Sequence, residues 1–297
     1  MRRVELYRLV PDNATAIIWC RSHLLLKSKM LCPTCKHDMK LVRCETTDGE
    51  IWRCNRTVSG ERHFRKVHIR DGSIFAGSHV SISDLVYLLY EWSRNTSVDE
   101  ASYELEMAMS TVIEWYKTFR ETAAWFVEQR QQGTIGGPGQ RVELDECQIG
   151  RRKYQRGRLR NDVWVLGGIV RGSNPTSCFL EIVKKRDMRT LSSVIQRKVD
   201  RRTIVITDGW RGYRGLLSLG YNHSIVNHSE NFVSQTDPTV HTQSVESMWS
   251  RLRRFLNKKG GYRRTHLPLY LLEFVFRVSY VDVFEHLITA IDMRFPC

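Results

Sequence analysis

A chain of 297 residues, 41% of them hydrophobic, is long enough to build two or three domains with cores of their own. Its 46 Lys+Arg against 32 Asp+Glu leave a net charge of +14, which favours polyanionic partners, nucleic acid foremost. No apolar run approaches the roughly 18 residues that cross a bilayer, so a helical membrane span is excluded.

The opening, "MRRVELYRLVPDNATAIIWC", lacks the uninterrupted apolar stretch and small-residue cleavage site of a secretory leader, and the expectation is a protein kept in a reducing compartment. Residues 13–28 predict a short helix with Asn13 as N-cap, the core of an N-terminal segment 1–29. Residues 30–76 are dense in Cys, His, Arg and Gly and predict a small turn-rich module. Five of the eight cysteines lie between Cys20 and Cys54, a clustering that suggests a metal site more than a disulfide framework. "CPTC" places Cys32 and Cys35 on one turn, the spacing of a zinc knuckle. Cys54 supplies a third ligand, and spacing leaves the fourth open between Cys44, His63 and His68. Cys20, Cys147, Cys178 and Cys297 are expected to pack as small apolar residues or stay free.

From residue 77 to 132 the pattern is helical. Three helices follow Ser81 or Ser83, Ser97 and Ser110 as N-caps, which fits a helix-turn-helix unit. The polar residues Ser110, Thr111, Glu114 and Lys117 open its third helix, the recognition candidate. "GTIGGPG" within 133–140 is the clearest linker and marks a domain boundary.

Residues 141–297 have an α/β texture. Strands are expected over 141–150, 163–171 and 177–183, then a helix over 187–199. The buried-strand run "TIVIT" follows, then a short strand over 222–228. An amphipathic helix over about 242–258 has Val245, Met248, Trp249, Leu252, Phe255 and Leu256 on one stripe, and two apolar helices end the chain. This order of elements is that of an RNase H-like domain, in which the first and fourth strands are neighbours. Asp145 lies in the first strand, Asp208 ends the fourth, and Glu246 stands near the start of the long helix, about 60° beyond the apolar stripe. Three converging carboxylates would repel one another unless they held divalent cations. Two Mg²⁺ or Mn²⁺ ions about 4 Å apart could then activate an attacking oxygen and stabilise a leaving one. Glu143 shares a strand face with Asp145, Glu146 lies on the other face, and both rank below Asp145. His241 could orient a phosphate or a water, or cap the helix. Two basic runs flank the carboxylates: Arg151, Arg152, Lys153, Arg156 and Arg158 in one, Arg251, Arg253, Arg254, Lys258 and Lys259 in the other. Both suit contact with DNA phosphates.

"VELDECQIG", "VITDGWRGY" and "VHTQSVESMWSRLRRFL", with "LYLLEFVFR" downstream, resemble the DDE transposases of the Merlin superfamily and their bacterial insertion-sequence relatives, over about residues 15 to 280. The resemblance implies a catalytic triad of Asp145, Asp208 and Glu246 and cut-and-paste transposition. Water would cleave a phosphodiester at the element end, and the freed 3′-hydroxyl would attack target DNA. It also implies a structural zinc ribbon over 30–76 and favours His63 as the fourth Zn²⁺ ligand. Its partners would be double-stranded DNA (terminal inverted repeats and target) and at least a second copy of the chain. Its place would be the nucleus if the cell is eukaryotic, and otherwise the cytoplasm or nucleoid. The competing readings are a domesticated DNA-binding protein without catalysis and an RNase H-like nuclease without strand transfer.

Overall fold

The computed structural model describes residues 1–58, 60–130, 133–150, 163–226, 242–259 and 264–297. Contacts divide the chain into two compact units, Met1–Thr122 with Asp282–Cys297, and Ala123–Val281. The boundary expected at 133–140 therefore does not coincide with this division. The last helix, expected beside the catalytic strands, counts with the first unit.

The first unit opens with α1 (Arg3–Leu9) and α2 (Asn13–Ser22). The helix expected over 13–28 is shorter than that, and its cap is Asp12, which accepts from Thr15 N at 2.8 Å. It ends because Leu24 turns left-handed at φ 58° and Leu25 N bonds back to the Cys20 carbonyl at 2.8 Å. Asn13 serves a different helix, its Oδ1 accepting from Ile82 N at 2.7 Å. A three-stranded antiparallel sheet follows, β1 (Lys40–Arg43), β2 (Glu50–Val58) and β3 (Glu61–His68), in that order. Then come α3 (Ile82–Ser93), α4 (Val98–Glu104) and α5 (Met109–Arg130), the last counting with the second unit from Ala123 onward. Ser81 and Ser97 cap α3 and α4 as expected, through Asp84 N and Glu100 N. The third helix already begins at Met109, so Ser110 lies inside its first turn rather than capping it. The final helix, α9 (Val283–Arg294), joins this unit because Phe284 packs its ring against Trp19 and Tyr90.

The second unit is built on a five-stranded sheet. Its strands are β4 (Arg141–Ile149), β5 (Val163–Val170), β6 (Cys178–Val183), β7 (Ile204–Asp208) and β8 (Asn222–Val226), in the order β6-β5-β4-β7-β8. The β4–β5 and β5–β6 pairs are antiparallel, and β4–β7 and β7–β8 are parallel. Alternation along β4 sends Val142 and Leu144 to one face, where they pack with Leu191, Val194 and Ile195 of α6 (Met188–Lys198). The opposite face is covered by α7 (Gln243–Lys258) and α8 (Leu267–Ser279). The six residues of the expected α7 stripe are all buried. Beyond its end, Lys259 and Arg277 converge on the buried Glu273 of α8, at 3.0 and 2.9 Å.

The glycine-rich 133–139 stretch is docked rather than loose. Ile135 N donates to the Lys198 carbonyl at 2.8 Å, and Gly137 N to Thr203 Oγ1 at 2.9 Å. Gly136 sits at φ 85°, and a Cβ there would stand 2.3 Å from Thr203 Oγ1. Gly136→Ala should therefore lower the unfolding free energy by about 2 kcal/mol, read as a reduced urea midpoint at unchanged m-value.

Candidate functional site

The β4–β7 ladder pairs Arg141 with Ile204, Val142 with Val205 and Glu143 with Ile206. Two residues further along the same register, Asp145 stands level with Asp208. The two aspartates thus sit on adjacent parallel strands towards one sheet edge. Glu246 comes from the first turn of α7, across the face that Asp145 shares. Trp249, one turn on, donates its Nε1 proton to Asp145 Oδ2 at 2.9 Å. Room for that indole comes from Gly167, the cross-strand partner of Asp145, where a Cβ would lie 2.6 Å from the Trp249 ring. Burial pushes the Asp145 carboxyl above its ordinary range, the Trp249 bond opposes this, and the charges of Asp208 and Glu246 push it further up. Asp208 Oδ1 accepts from Trp210 N at 3.0 Å, which fixes the turn after β7.

Glu146, on the α6 side of β4, is a fourth carboxylate in the neighbourhood. Its Oε2 accepts the Tyr213 hydroxyl at 2.6 Å. Burial pushes it up to about 7; Tyr213 and Arg186 lower it, and Asp145 and Asp208 raise it.

A separate group stands in the first unit. Cys32, Cys35, Cys54 and His63 bring their ligand atoms within 4.8 Å of one another, the only group of His, Cys, Asp or Glu among the described residues to do so. The three carboxylates of the second unit are spread more widely. Cys32 Sγ lies 3.4 Å from His63 Nε2, and Cys35 Sγ lies 3.7 Å from Cys54 Sγ. A tetrahedral zinc, with Zn–S about 2.3 Å and Zn–N about 2.0 Å, needs edges of about 3.5 Å (S···N) and 3.8 Å (S···S), so the donor set fits. The knuckle is closed by Lys36 N on the Cys32 carbonyl and Cys32 N on the His37 carbonyl, both at 2.8 Å. Burial raises the Cys32 thiol, but the amides of Cys35 and Thr34 and the His63 ring outweigh it, so the net shift is downward, towards thiolate. Of the alternatives, Cys44 lies outside the group, with its Sγ against Thr46, and so does His68.

Residues 135–279 match the ISXO2-like transposase domain family. Over 102 residues, 34% of this chain and 80% of the relative, the chain is 28% identical to an uncharacterized transposase-like protein of Haemophilus influenzae. Residues 135–279 are thus similar to an insertion-sequence transposase domain.

Within the transposase domain, the residue that sequence reading undervalued is Glu143. It is wholly buried, and it caps the helix that carries Glu246. Its Oε2 accepts from Ser244 N at 2.8 Å and Val245 N at 3.0 Å, while Oε1 accepts from Ser244 Oγ at 2.9 Å and Arg171 Nε at 2.8 Å. The helix's own N-cap residue, Thr242, makes no side-chain cap bond. The cap therefore comes from β4, two residues before Asp145, a long-range contact that no local motif announces.

Arg251, Arg253, Arg254 and Lys258 are exposed on α7, with Arg253 also donating to Cys147 Sγ at 3.0 Å. Lys259, also expected at the DNA, has a side chain only 12% exposed that is ion-paired to buried Glu273. Arg151, Arg152, Lys153, Arg156, Arg158 and His241 lie outside the described residues.

Removing Glu143 would take the acceptor from the Ser244 and Val245 amides. Glu143→Ala should cost about 3–5 kcal/mol in urea unfolding. Glu143→Gln, which keeps one acceptor oxygen, should cost less.

Proposed function

We propose that the chain is a metal-dependent DNA transposase that cuts a phosphodiester at an element end and joins the freed 3′-hydroxyl to target DNA. The observation that carries this reading is the β4–β7 register with the α7 cap, which sets Asp145, Asp208 and Glu246 around one sheet edge. The strand order β6-β5-β4-β7-β8, three antiparallel strands followed by two parallel ones, supports an RNase H-like catalytic domain.

The donor set is all carboxylate oxygen, as hard divalent cations require; burial raises the Asp145 carboxyl, and the nearby charges of Asp208 and Glu246 add to that. Mg²⁺ or Mn²⁺ held there would neutralise charge on the scissile phosphate and make the attacking oxygen more nucleophilic. The chain's own part is positioning. Trp249 holds one Asp145 oxygen, Trp210 N holds one Asp208 oxygen, and Glu143 fixes the origin of Glu246. A bond to phosphorus forms from water as the bond to the 3′-oxygen breaks, and that oxygen then attacks a target phosphodiester. No covalent protein intermediate is needed.

Ahead of residues 133–140, residues 30–76 are proposed as a zinc ribbon and 77–132 as a helix-turn-helix unit reading terminal repeats. Two ends must be joined, so at least a dimer on DNA is expected. DNA as substrate implies the nucleus in a eukaryotic cell and the nucleoid otherwise.

Asp145→Asn, Asp208→Asn and Glu246→Gln should each reduce cleavage and joining of terminal-repeat DNA by about 10²–10³-fold or more, with DNA binding kept. Full activity in any of the three sinks the site. The protein should also carry one zinc per chain by elemental analysis. His63→Ala should lose it and melt the three-stranded sheet, since zinc binding of about 10–16 kcal/mol is folding energy in so small a module; a variant that keeps zinc would refute the ligand set.

A further inference from the structure

The geometry points to a second DNA-contacting element beside the carboxylates: a basic cleft around Trp210 that holds backbone phosphates of the strand entering the site. It rests on the transposase reading and names what that reading leaves open, where the strand runs.

The topology sets the location. Strands β4, β6 and β7 all run in the same sense, so the chain after β6 and after β7 emerges at the edge where Asp145 and Asp208 stand. Lys185 and Arg186 follow β6; Trp210, Arg211 and Arg214 follow β7. Together they line a cleft of about 640 Å³. Its one carboxylate, Asp187, is already engaged as the cap of α6, accepting from Thr190 N at 2.8 Å. None of the four cations is ion-paired among the described residues.

Arg186 gives the cleft its character. Its guanidinium carbon lies 3.8 Å from the Trp164 ring centre and 4.6 Å from that of Trp210. Trp210 is itself pinned, its Nε1 donating to the Arg186 carbonyl at 3.1 Å. Two indoles thus cover the flat guanidinium while its N–H donors, which lie in its plane, have no protein acceptor among the described residues. A cation held this way has already lost its side-chain freedom, and its fork matches phosphate oxygens. Arg211 packs 5.4 Å from the same Trp210 ring. Arg186 is also near enough to the carboxylates to lower the Glu146 carboxyl.

The occupant follows from charge and size. Four cations repel a metal ion, and the cleft is larger than one phosphate requires. A polyanion whose charges recur along a chain meets both conditions. A nucleic-acid strand is such a polyanion.

The test is binding of the full-length protein to a 30-base-pair duplex across a salt series, together with cleavage in Mn²⁺. Arg211→Ala/Arg214→Ala, both exposed positions, should reduce the slope of log K against log[salt] by about 1.8, for two lost phosphate contacts. It should also raise KM more than it lowers kcat. Arg186→Lys should restore only part of what Arg186→Ala loses, because an ammonium lacks the planar fork. Arg202→Ala, an exposed arginine paired with Asp200, should change nothing. An unchanged slope and KM in the double variant, with wild-type cleavage intact, overturns the cleft and spares the transposase. A reduced slope with no cleavage by wild-type protein upholds the cleft and sinks the transposase. Competition by millimolar inorganic phosphate as effective as that by duplex would mean an isolated anion site and overturn the strand.

Discussion

The arrangement of the carboxylates depends on one buried charge. Glu143 has no exposed surface, and an ionised carboxylate persists in such a place only when its oxygens are fully engaged. Here they are: two helix amides, one hydroxyl and one guanidinium converge on them. The same contacts satisfy amides at the start of α7 that have no partner within the helix. One interaction thus stabilises a helix end and ties it to the strand bearing Asp145. Without it, the helix of Glu246 would be tied to the strand of Asp145 only by the Trp249 bond and by packing.

The rest of α7 is held to match. Gly167 removes a side chain where the helix must approach the sheet, and the indole of Trp249 fills the space and bonds Asp145. At the far end, Lys259 and Arg277 neutralise Glu273. Buried charges at both ends and an aromatic wedge between them leave the helix little freedom to slide. The cation site proposed for these carboxylates would need that rigidity, because small shifts in carboxylate spacing change cation affinity steeply.

The sheet edge separates charge of two signs. Asp145, Asp208, Glu246 and Glu146 make one part acidic, and the loops after β6 and β7 make the neighbouring part basic. Both come from the same topological fact, that β4, β6 and β7 end together. The three-cysteine, one-histidine group of the first unit follows different physics: its donor atoms are gathered by one tight knuckle and one hairpin.

Much of this was legible in the chain itself. Strand and helix positions from 141 onward follow from hydrophobic periodicity, which is local and strong there, and Asp145, Asp208 and Glu246 stood out as charges at the wrong places on apolar elements. The knuckle was legible because two cysteines three residues apart have few other uses. What stayed hidden was pairing. Glu143 read as a minor neighbour of Asp145, Lys259 as a DNA contact and Asn13 as the cap of its own helix, because each finds its partner on another element. Spacing encodes which side chains share an element. Which buried group meets which, and therefore whether a charge is structural or free to act, was decided only when strands and helices packed.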